Sequence, residues 1–495
     1  MARLLLAQES LLPPNFKTEA PPLLRVMRAV LTMGAPRFDS DERGTALSSR
    51  IAKLGPTYIK LGQFLATRPD IIGDKMAADL RHLQDKMPPF DTSLARAMLV
   101  QEIPAADKLI CNLSEPIAAA SIAQVHMAQD AREPTRKIAV KFLRPNIEAT
   151  LRDELRVFQT LARWTERLSS KSRRLRPVES LKTLARTMAF ETDLRLEAAA
   201  LSEMYENSKD DRYFTVPEVY WEATSKRILS MQWIDGTPAS DLVALRQAGH
   251  NMTQLAERLI QTFLRHALRD GFFHADMHQG NLLIAADGTL VGIDLGINGR
   301  LSPDSRRFLA EILHGFIVRD YELVARIHFE AGYVPQDNNM AEFAQALRSI
   351  GEPIRDQNAG DISMAHLLNQ LFEITEQFQM QTQPQLLLLQ KTMVTVEGVA
   401  RSFDPDLNFW DAASPVISDW LKKQLGPEAQ LRSMRDSVIG AGRALQRLPQ
   451  TLAALETASQ KLLQDEPSTD RMARGLAIIA IAGAAAAVVL FWLAL

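Results

Sequence analysis

The chain has 495 residues, a length that suits about three domains at roughly 150 residues each. Apolar residues make up 46% and charged residues 23%, which excludes a disordered chain. Lys and Arg number 57 against 59 Asp and Glu, which argues against a dedicated nucleic-acid binder, and the single cysteine, Cys111, excludes an intrachain disulfide, an iron–sulfur cluster and a Cys-rich zinc site. One cysteine also suits a reducing compartment.

From the N-terminus, residues 1–105 read as helical, with Leu23, Leu24, Met27 and Val30 at helical spacing and a break at Pro88-Pro89. The apolar run Leu4–Ala7 is too short for the core of a secretory signal. Between 106 and 145 the texture changes to strand-like runs, SIAQVHMA and KIAVKFL, parted by a polar turn with Pro134. Long helical patterns return over 147–207, and RILSMQWID reads as a further strand. Helices dominate 239–270 and 303–455, and between them 271–300 is a block of short strands and loops. At the end, Leu476–Leu495 is 20 uncharged residues preceded by Arg471 and Arg474. A helix of that length spans about 30 Å, the thickness of a bilayer core, so a single-pass C-terminal anchor is expected, with the preceding chain on the cytoplasmic side. Upstream, Lys422, Lys423, Arg432, Arg435, Arg443 and Arg447 face only Glu428 and Asp436. Such a stretch suits either an anionic leaflet or a solvated helix face.

The densest chemistry lies in His274-Ala-Asp276-Met-His278-Gln-Gly-Asn281 followed by Asp294-Leu295-Gly296. Phosphoryl transfer needs a carboxylate beside the nucleophile and an Asn and an Asp to hold Mg²⁺ on the phosphates. The kinase pattern H-R-D-x-x-x-x-N followed by D-F-G spaces them in this way. The intervening LLIAADGTLVGID reads as a hairpin turning at Asp287-Gly288. Taken alone, HxDxH also suits a metal-hydrolase cluster. Lys141 ends the apolar strand Ile138-Ala139-Val140, as the phosphate-pairing lysine of V-A-I-K does. Glu197, in LRLEAAA, is its candidate partner. Where a kinase has glycines, Ala118, Ala119, Ala120 and Ser121 stand before IAQVH. Alanine does not readily reach positive φ, so a stiff, plain turn is expected there.

These motifs, AAASIAQVH, AVKFLRP, HADMHQGN and DLG, together with Lys60-Leu61-Gly62-Gln63, Glu191-Thr192-Asp193 and LLLLQKTMVTVEGVARSFDPDLN, closely resemble the UbiB family of atypical kinases over roughly residues 50–410. The family supports ubiquinone biosynthesis. The resemblance implies an α+β, atypical protein-kinase-like two-lobed fold. It would have an N-terminal helical extension (1–105), an N-lobe with a helical insertion (106–235), a mostly helical C-lobe (236–420), amphipathic juxtamembrane helices (421–474) and a transmembrane helix (475–495).

It further implies that Lys141 and Glu197 form the N-lobe ion pair, that Asp276 is the catalytic carboxylate, and that Asn281 and Asp294 bind Mg²⁺. Ala118, Ala119, Ala120, Ser121, Ile122, Ala123, Gln124, Val125 and His126 would cover ATP or ADP. Lys60 and Gln63 would belong to a helix that blocks protein substrates, with Glu191 and Asp193 near the same site. Without the resemblance, Lys60 reads as an exposed helix lysine. Three positions depart from the family pattern: Gln279 for Pro, which is expected to loosen the catalytic loop, Ala200 for Asn, and Leu295 for the Phe of DFG.

Only residues 297–301 separate Gly296 from Ser302-Pro303, which read as N-cap and first residue of a helix. That leaves no room for an activation loop or a peptide-docking platform. The expected protein is therefore a Mg-ATP-binding atypical kinase or ATPase of ubiquinone biosynthesis, anchored in a bacterial inner membrane. Its partners would be membrane lipid, prenylated quinone precursors and other biosynthetic enzymes, not nucleic acid. Two rivals are a polyprenylphenol hydroxylase, which needs a flavin, haem or iron site, and a nucleotide-gated scaffold without turnover.

Overall fold

The computed structural model describes residues 51, 54–66, 79–80, 83, 87–168, 176–352, 370–371, 374, 377–380 and 384–425. These fall into two compact units that interleave along the chain. The first takes the described residues up to Phe263, then Phe272–Arg300 and Pro384–Pro405. The second takes Leu264–Gly271 and the described residues of 301–383 and 406–425. Among the described residues no helix is long and apolar enough to cross a membrane. The apolar run Leu476–Leu495 and the basic positions beyond Lys423 lie outside them.

In the first unit the chain runs α1 (Pro56–Ala66), α2 (Thr92–Glu102), α3 (Ala106–Leu109), then strands β1 (Ile110–Cys111), β2 (Pro116–Ala119), β3 (Ala123–Asp130) and β4 (Lys137–Leu143). Helices α4 (Ile147–Leu168), α5 (Pro177–Glu191) and α6 (Leu194–Asn207) follow, then β5 (Phe214–Thr215), β6 (Ile228–Gln232) and β7 (Thr237–Pro238). After α7 (Leu242–Gln247) and α8 (Met252–Arg265), whose last two residues belong to the second unit, come β8 (Phe272–His274), β9 (Leu282–Ile284), β10 (Leu290–Gly292) and β11 (Asn298–Arg300).

The five-stranded antiparallel sheet has the order β1-β3-β4-β6, with β2 also paired to β3. Side chains alternate across a strand, and β4 shows the consequence. Ile138, Val140 and Phe142 bury one face against Ala95, Met98 and Leu99 of α2, while Lys141 points to the other. Beyond the sheet, β9 and β10 form the hairpin read from the sequence. Gly288 turns it at φ +82°, a left-handed conformation that suits glycine, and Asp287 Oδ1 accepts from Thr289 N. Strand β11 pairs antiparallel with β8, Asn298 opposite His274.

The second unit packs α9 (Pro303–Val318), α10 (Tyr321–Glu330), α11 (Met340–Gly351) and α13 (Phe409–Leu425). As expected, Ser302 caps α9, its Oγ accepting from Ser305 N, with Pro303 following. Gly315 lets α9 approach α10, since a Cβ there would meet Val324 Cγ2 at 2.5 Å. Tyr321, Val324, Phe343 and Leu347 are buried between these helices. Trp420 Nε1 donates to the carbonyl of Leu268 at 2.8 Å, tying α13 to the π-helical turn His266–Asp270.

Candidate active site

The site lies in the first unit and is built around one lysine. Register places Lys141 opposite Leu229 of β6 and Val125 of β3, in the middle of the sheet. Its Nζ donates to Glu197 Oε1 at 2.7 Å, Glu197 Oε2 at 2.9 Å and Asp294 Oδ2 at 2.8 Å. An ammonium has three protons, so these contacts use its full donor capacity. Glu197 shares the buried face of α6 with Leu194, Ala198 and Leu201, and Asp193 caps that helix through Arg195 N.

The electrostatics follow from three charges in a small space. Burial alone would push the Lys141 ammonium down, but Asp294 and Glu197 outweigh it and hold the group above its ordinary value. Burial also opposes ionisation of Asp294, yet Lys141 and the Gly296 N–H hold its carboxyl well below the carboxylate range. Glu197 is pushed up to about 7, first by burial and then by the charge of Asp294, against the pull of Lys141. One cation thus serves two carboxylates, and Glu197 carries the cost.

The loop from His274 to Asn281 is tied internally. His278 N and Asn281 Nδ2 donate to the carbonyl of Asp276 at 2.9 and 3.1 Å, and Ile293 N donates to the carbonyl of Asn281 at 3.0 Å. The last bond sets Asn281 beside the segment that carries Asp294. His278 Nδ1 accepts from Gly280 N, and Nε2 faces Asp276 Oδ2 at 3.7 Å. His274 is buried, which pushes its pKa down to about 4 and keeps the ring neutral.

The fit to Mg²⁺ rests on the donor set. Asn281 spends its amide nitrogen on Asp276, which leaves Oδ1 as the atom that would ligate a metal, and Asp294 is an ionised carboxylate. Two hard oxygen donors suit Mg²⁺, which takes the rest of its octahedron from water and phosphate. Among the described residues no three His, Cys, Asp or Glu side chains are grouped to hold a metal.

The alanine segment corrects an expectation. Ala118 and Ala119 belong to β2 and pair with Val125 and Gln124, so only the following residues turn, and no residue from Ala118 to His126 has positive φ. The hairpin is held from outside. Arg144 Nε and Nη2 donate to the carbonyl of Ala120 at 3.1 and 2.8 Å, Arg144 Nη2 also reaches the carbonyl of Pro88 at 2.9 Å, and Met87 N donates to that of Ala119 at 3.3 Å. Gln124 clamps the backbone of Phe90 in both directions and contacts His126 Nε2, whose Nδ1 meets the carbonyl of Ser114. Ser121 is fully buried, as is Ala123, while Ile122 and Val125 are half-buried.

Lys60 is not an exposed helix lysine: its Nζ sits 2.8 Å from Glu191 Oε2, with both side chains under one-fifth exposed. Gly62 is needed there, since a Cβ would meet Leu83 Cδ1 at 2.6 Å. Gln63 is half-buried on the same helix. Asp193 bonds Arg195 through both carboxylate oxygens. Gln279 is a second correction. It does not loosen the loop, since its Nε2 donates to Ser402 Oγ at 2.6 Å, on helix α12 (Pro384–Phe403) of the same unit. Ala200 is buried on α6. Sequence reasoning missed Arg144 and Ser402. The only local signal was their place inside AVKFLRP and LLLLQKTMVTVEGVARSF.

Comparison with known proteins agrees with this geometry. The ABC1 atypical kinase-like domain matches residues 82–328, and the UbiB helical domain matches 347–408. A protein of Marinobacter nauticus named "Probable protein kinase UbiB" is 37% identical over 464 residues, covering 90% of this chain and 84% of its own. A protein of the same name from Klebsiella pneumoniae is 37% identical over 460 residues, covering 92% and 84%. Among solved structures, the complex of Rv3197 with erythromycin from Mycobacterium tuberculosis matches with a TM-score of 0.52 at 22% identity, covering 80% of this chain and 98% of that one. That likeness is one of fold.

Proposed function

The chain belongs to the UbiB family of atypical kinases in ubiquinone biosynthesis, and on that premise we propose that it binds Mg-ATP and transfers or hydrolyses the γ-phosphoryl group at the membrane. The observation that carries this reading is Lys141, held by Glu197 of α6 and Asp294 after β10 in one three-way contact. Lys141 would neutralise phosphate charge, and Asn281 and Asp294 would hold Mg²⁺, which supplies charge stabilisation on the phosphates. Asp276 would take the proton of the acceptor oxygen as that oxygen bonds to the γ-phosphorus and the bond to the ADP oxygen breaks.

The acceptor we favour is water or a prenylated phenol drawn from the membrane. Five residues lie between Gly296 and Ser302, too few for a platform to seat a peptide. The apolar run Leu476–Leu495 would anchor the chain in a bacterial inner membrane, beside such precursors and the other enzymes that act on them.

The test is phosphate release by the full chain in phospholipid nanodiscs, with and without a prenylated phenol, compared with Asp276→Asn. Turnover that needs Mg²⁺ and is lost in the variant supports the reading. Nucleotide binding without turnover in either lipid condition would leave a nucleotide-gated scaffold.

A further inference from the structure

Helix α12 holds the catalytic loop at two points, one on each side of Asp276. Upstream, Thr392 Oγ1 lies 3.1 Å from the carbonyl oxygen of Ala275. Downstream, Gln279 Nε2 donates to Ser402 Oγ at 2.6 Å. Ser402 can accept because its own proton goes to the carbonyl of Val399, also at 2.6 Å. Thr392 is fully buried, so water cannot replace its bond. Its single hydroxyl proton is shared between Ala275 and the Leu388 carbonyl at 2.7 Å, which ties the loop to the helix backbone itself.

The anchors stand ten residues apart on α12, about 15 Å along a helix axis. The helix is a firm support: Leu389, Met393, Val396, Val399, Ala400 and Phe403 are all buried. Between the anchors, the bonds within the loop fix the carbonyl of Asp276, and its partly exposed carboxylate faces His278 of the same loop at 3.7 Å, so its aim follows the placement of the loop as a whole. The α12 segment also lies within 347–408, outside the kinase-like stretch 82–328. A part of the chain separate from the kinase-like sequence thus grips the loop that carries the chemistry.

We propose that α12 is the positioning element of the catalytic loop, and that Thr392, Ser402 and Gln279 are positioning residues that set the aim of Asp276 at the phosphoryl acceptor. The proposal rests on the phosphoryl-transfer reading above. A reacting group misplaced by about 1 Å can lose on the order of a hundredfold in rate, so a bond that contacts no substrate can still govern turnover. Binding of Mg-ATP, which falls to Lys141, Asn281 and Asp294, should be spared. The expected signature is a loss in kcat with little change in KM.

The experiment uses the full chain in nanodiscs with Thr392→Val, Thr392→Ser, Gln279→Ala, Ser402→Ala and the last two combined. It measures kcat and KM for ATP, and hydrogen exchange across residues 272–283. Thr392→Val should lower kcat roughly tenfold with KM within about twofold, and Thr392→Ser should restore it. Gln279→Ala and Ser402→Ala should each lower kcat by about fivefold, and the double variant no further, because they share one bond. Exchange over 272–283 should quicken in each of the valine and alanine variants. A double loss equal to the product of the single losses overturns the pairing, and unchanged kcat or unchanged exchange overturns the proposal. If Thr392→Val does not fold, Gln279→Ala, at a half-buried position, decides alone. Absence of turnover in the unaltered chain would refute the phosphoryl-transfer reading, and the exchange result would still decide whether α12 holds the loop.

Discussion

Lys60 and Glu191 form an ion pair of 2.8 Å that joins α1 to the last residue of α5, two residues before the cap of α6. The charge of Glu191 also reaches Glu197, adding to the forces that raise its pKa. Helix α1 is therefore electrically coupled to the Lys141 site through Glu191.

That coupling makes the first prediction. Lys60→Ala leaves the Glu191 carboxylate uncompensated and Glu191→Ala removes it, so the two should shift nucleotide affinity in opposite directions, and the double variant should lie between them. Reversing the pair, Lys60→Glu with Glu191→Lys, should recover most of a loss of about 1 kcal/mol seen in each single reversal. Isothermal titration with ADP and thermal unfolding of the unaltered chain and the six variants check it. Independent effects would mean that the two residues act through different partners.

The second concerns Asp294→Asn. Removing that charge should abolish the Mg-dependent thermal shift produced by ATP while leaving the fold intact. It should also release Glu197. In the unaltered protein Glu197 titrates near 7 against an ordinary value near 4.5, so between those pH values the native state holds a proton that the unfolded chain lacks. Stability contributed by that proton falls as pH rises through the window. In Asp294→Asn the fall should flatten. Urea midpoints from pH 4.5 to 7.5 measure it, and an unchanged slope would break the proposed linkage.

A third prediction takes the opposite sign. His328 is buried with its Nδ1 against the carbonyl of Val324, and burial pushes its pKa down to about 4. Between about 6.5 and 4 the unfolded chain carries a proton that the native ring does not. Stability should therefore drop as pH falls through this window, by up to about 1.4 kcal/mol per unit for this one group. His328→Phe should remove about one proton from the uptake on unfolding, read from the pH dependence of the urea midpoint. His274, also near 4, should leave a residual slope.

The fourth addresses the alanine hairpin. Ala119→Gly should cost about 0.4–1 kcal/mol in stability, mostly through the unfolded chain, while shifting the ratio of ATP to ADP affinity. Arg144→Met releases the carbonyls of Ala120 and Pro88 and should shift that ratio in the same direction. Equilibrium binding of both nucleotides to both variants decides it. Identical ratios in all forms would mean that the hairpin takes no part in nucleotide choice.

What was legible in the sequence was mostly local. The apolar run Ile138-Ala139-Val140 put Lys141 on a strand, though that strand runs on to Leu143 rather than ending at the lysine, Asp287-Gly288 placed the hairpin, and Ser302-Pro303 placed the start of α9, because each is decided by neighbours a few residues away. Glu197 as the partner of Lys141 came with the family resemblance, and the contact of Lys141 with Asp294 was not announced by the sequence. The alanines misled because alanine has a poor strand preference, which pairing with β3 overrides. Gln279 misled because its partner, Ser402, is 123 residues distant. No periodicity announces a hydrogen bond across that separation.

Strand β11 has a further consequence. Asn298, Gly299 and Arg300 pair with His274, Phe273 and Phe272, and a side chain on Gly299 would strike the Phe273 ring. In many kinases the stretch after the metal-binding aspartate is long, carries a hydroxyl, and becomes ordered when phosphorylated. Here Ile297, Asn298, Gly299, Arg300 and Leu301 offer no hydroxyl, and three of the five are already committed to a strand. The stretch is assembled with the fold rather than by a later modification. A signalling cascade has nothing to write on within these five residues, and under the phosphoryl-transfer reading the pace of the site would be left to the supply of nucleotide and of its acceptor.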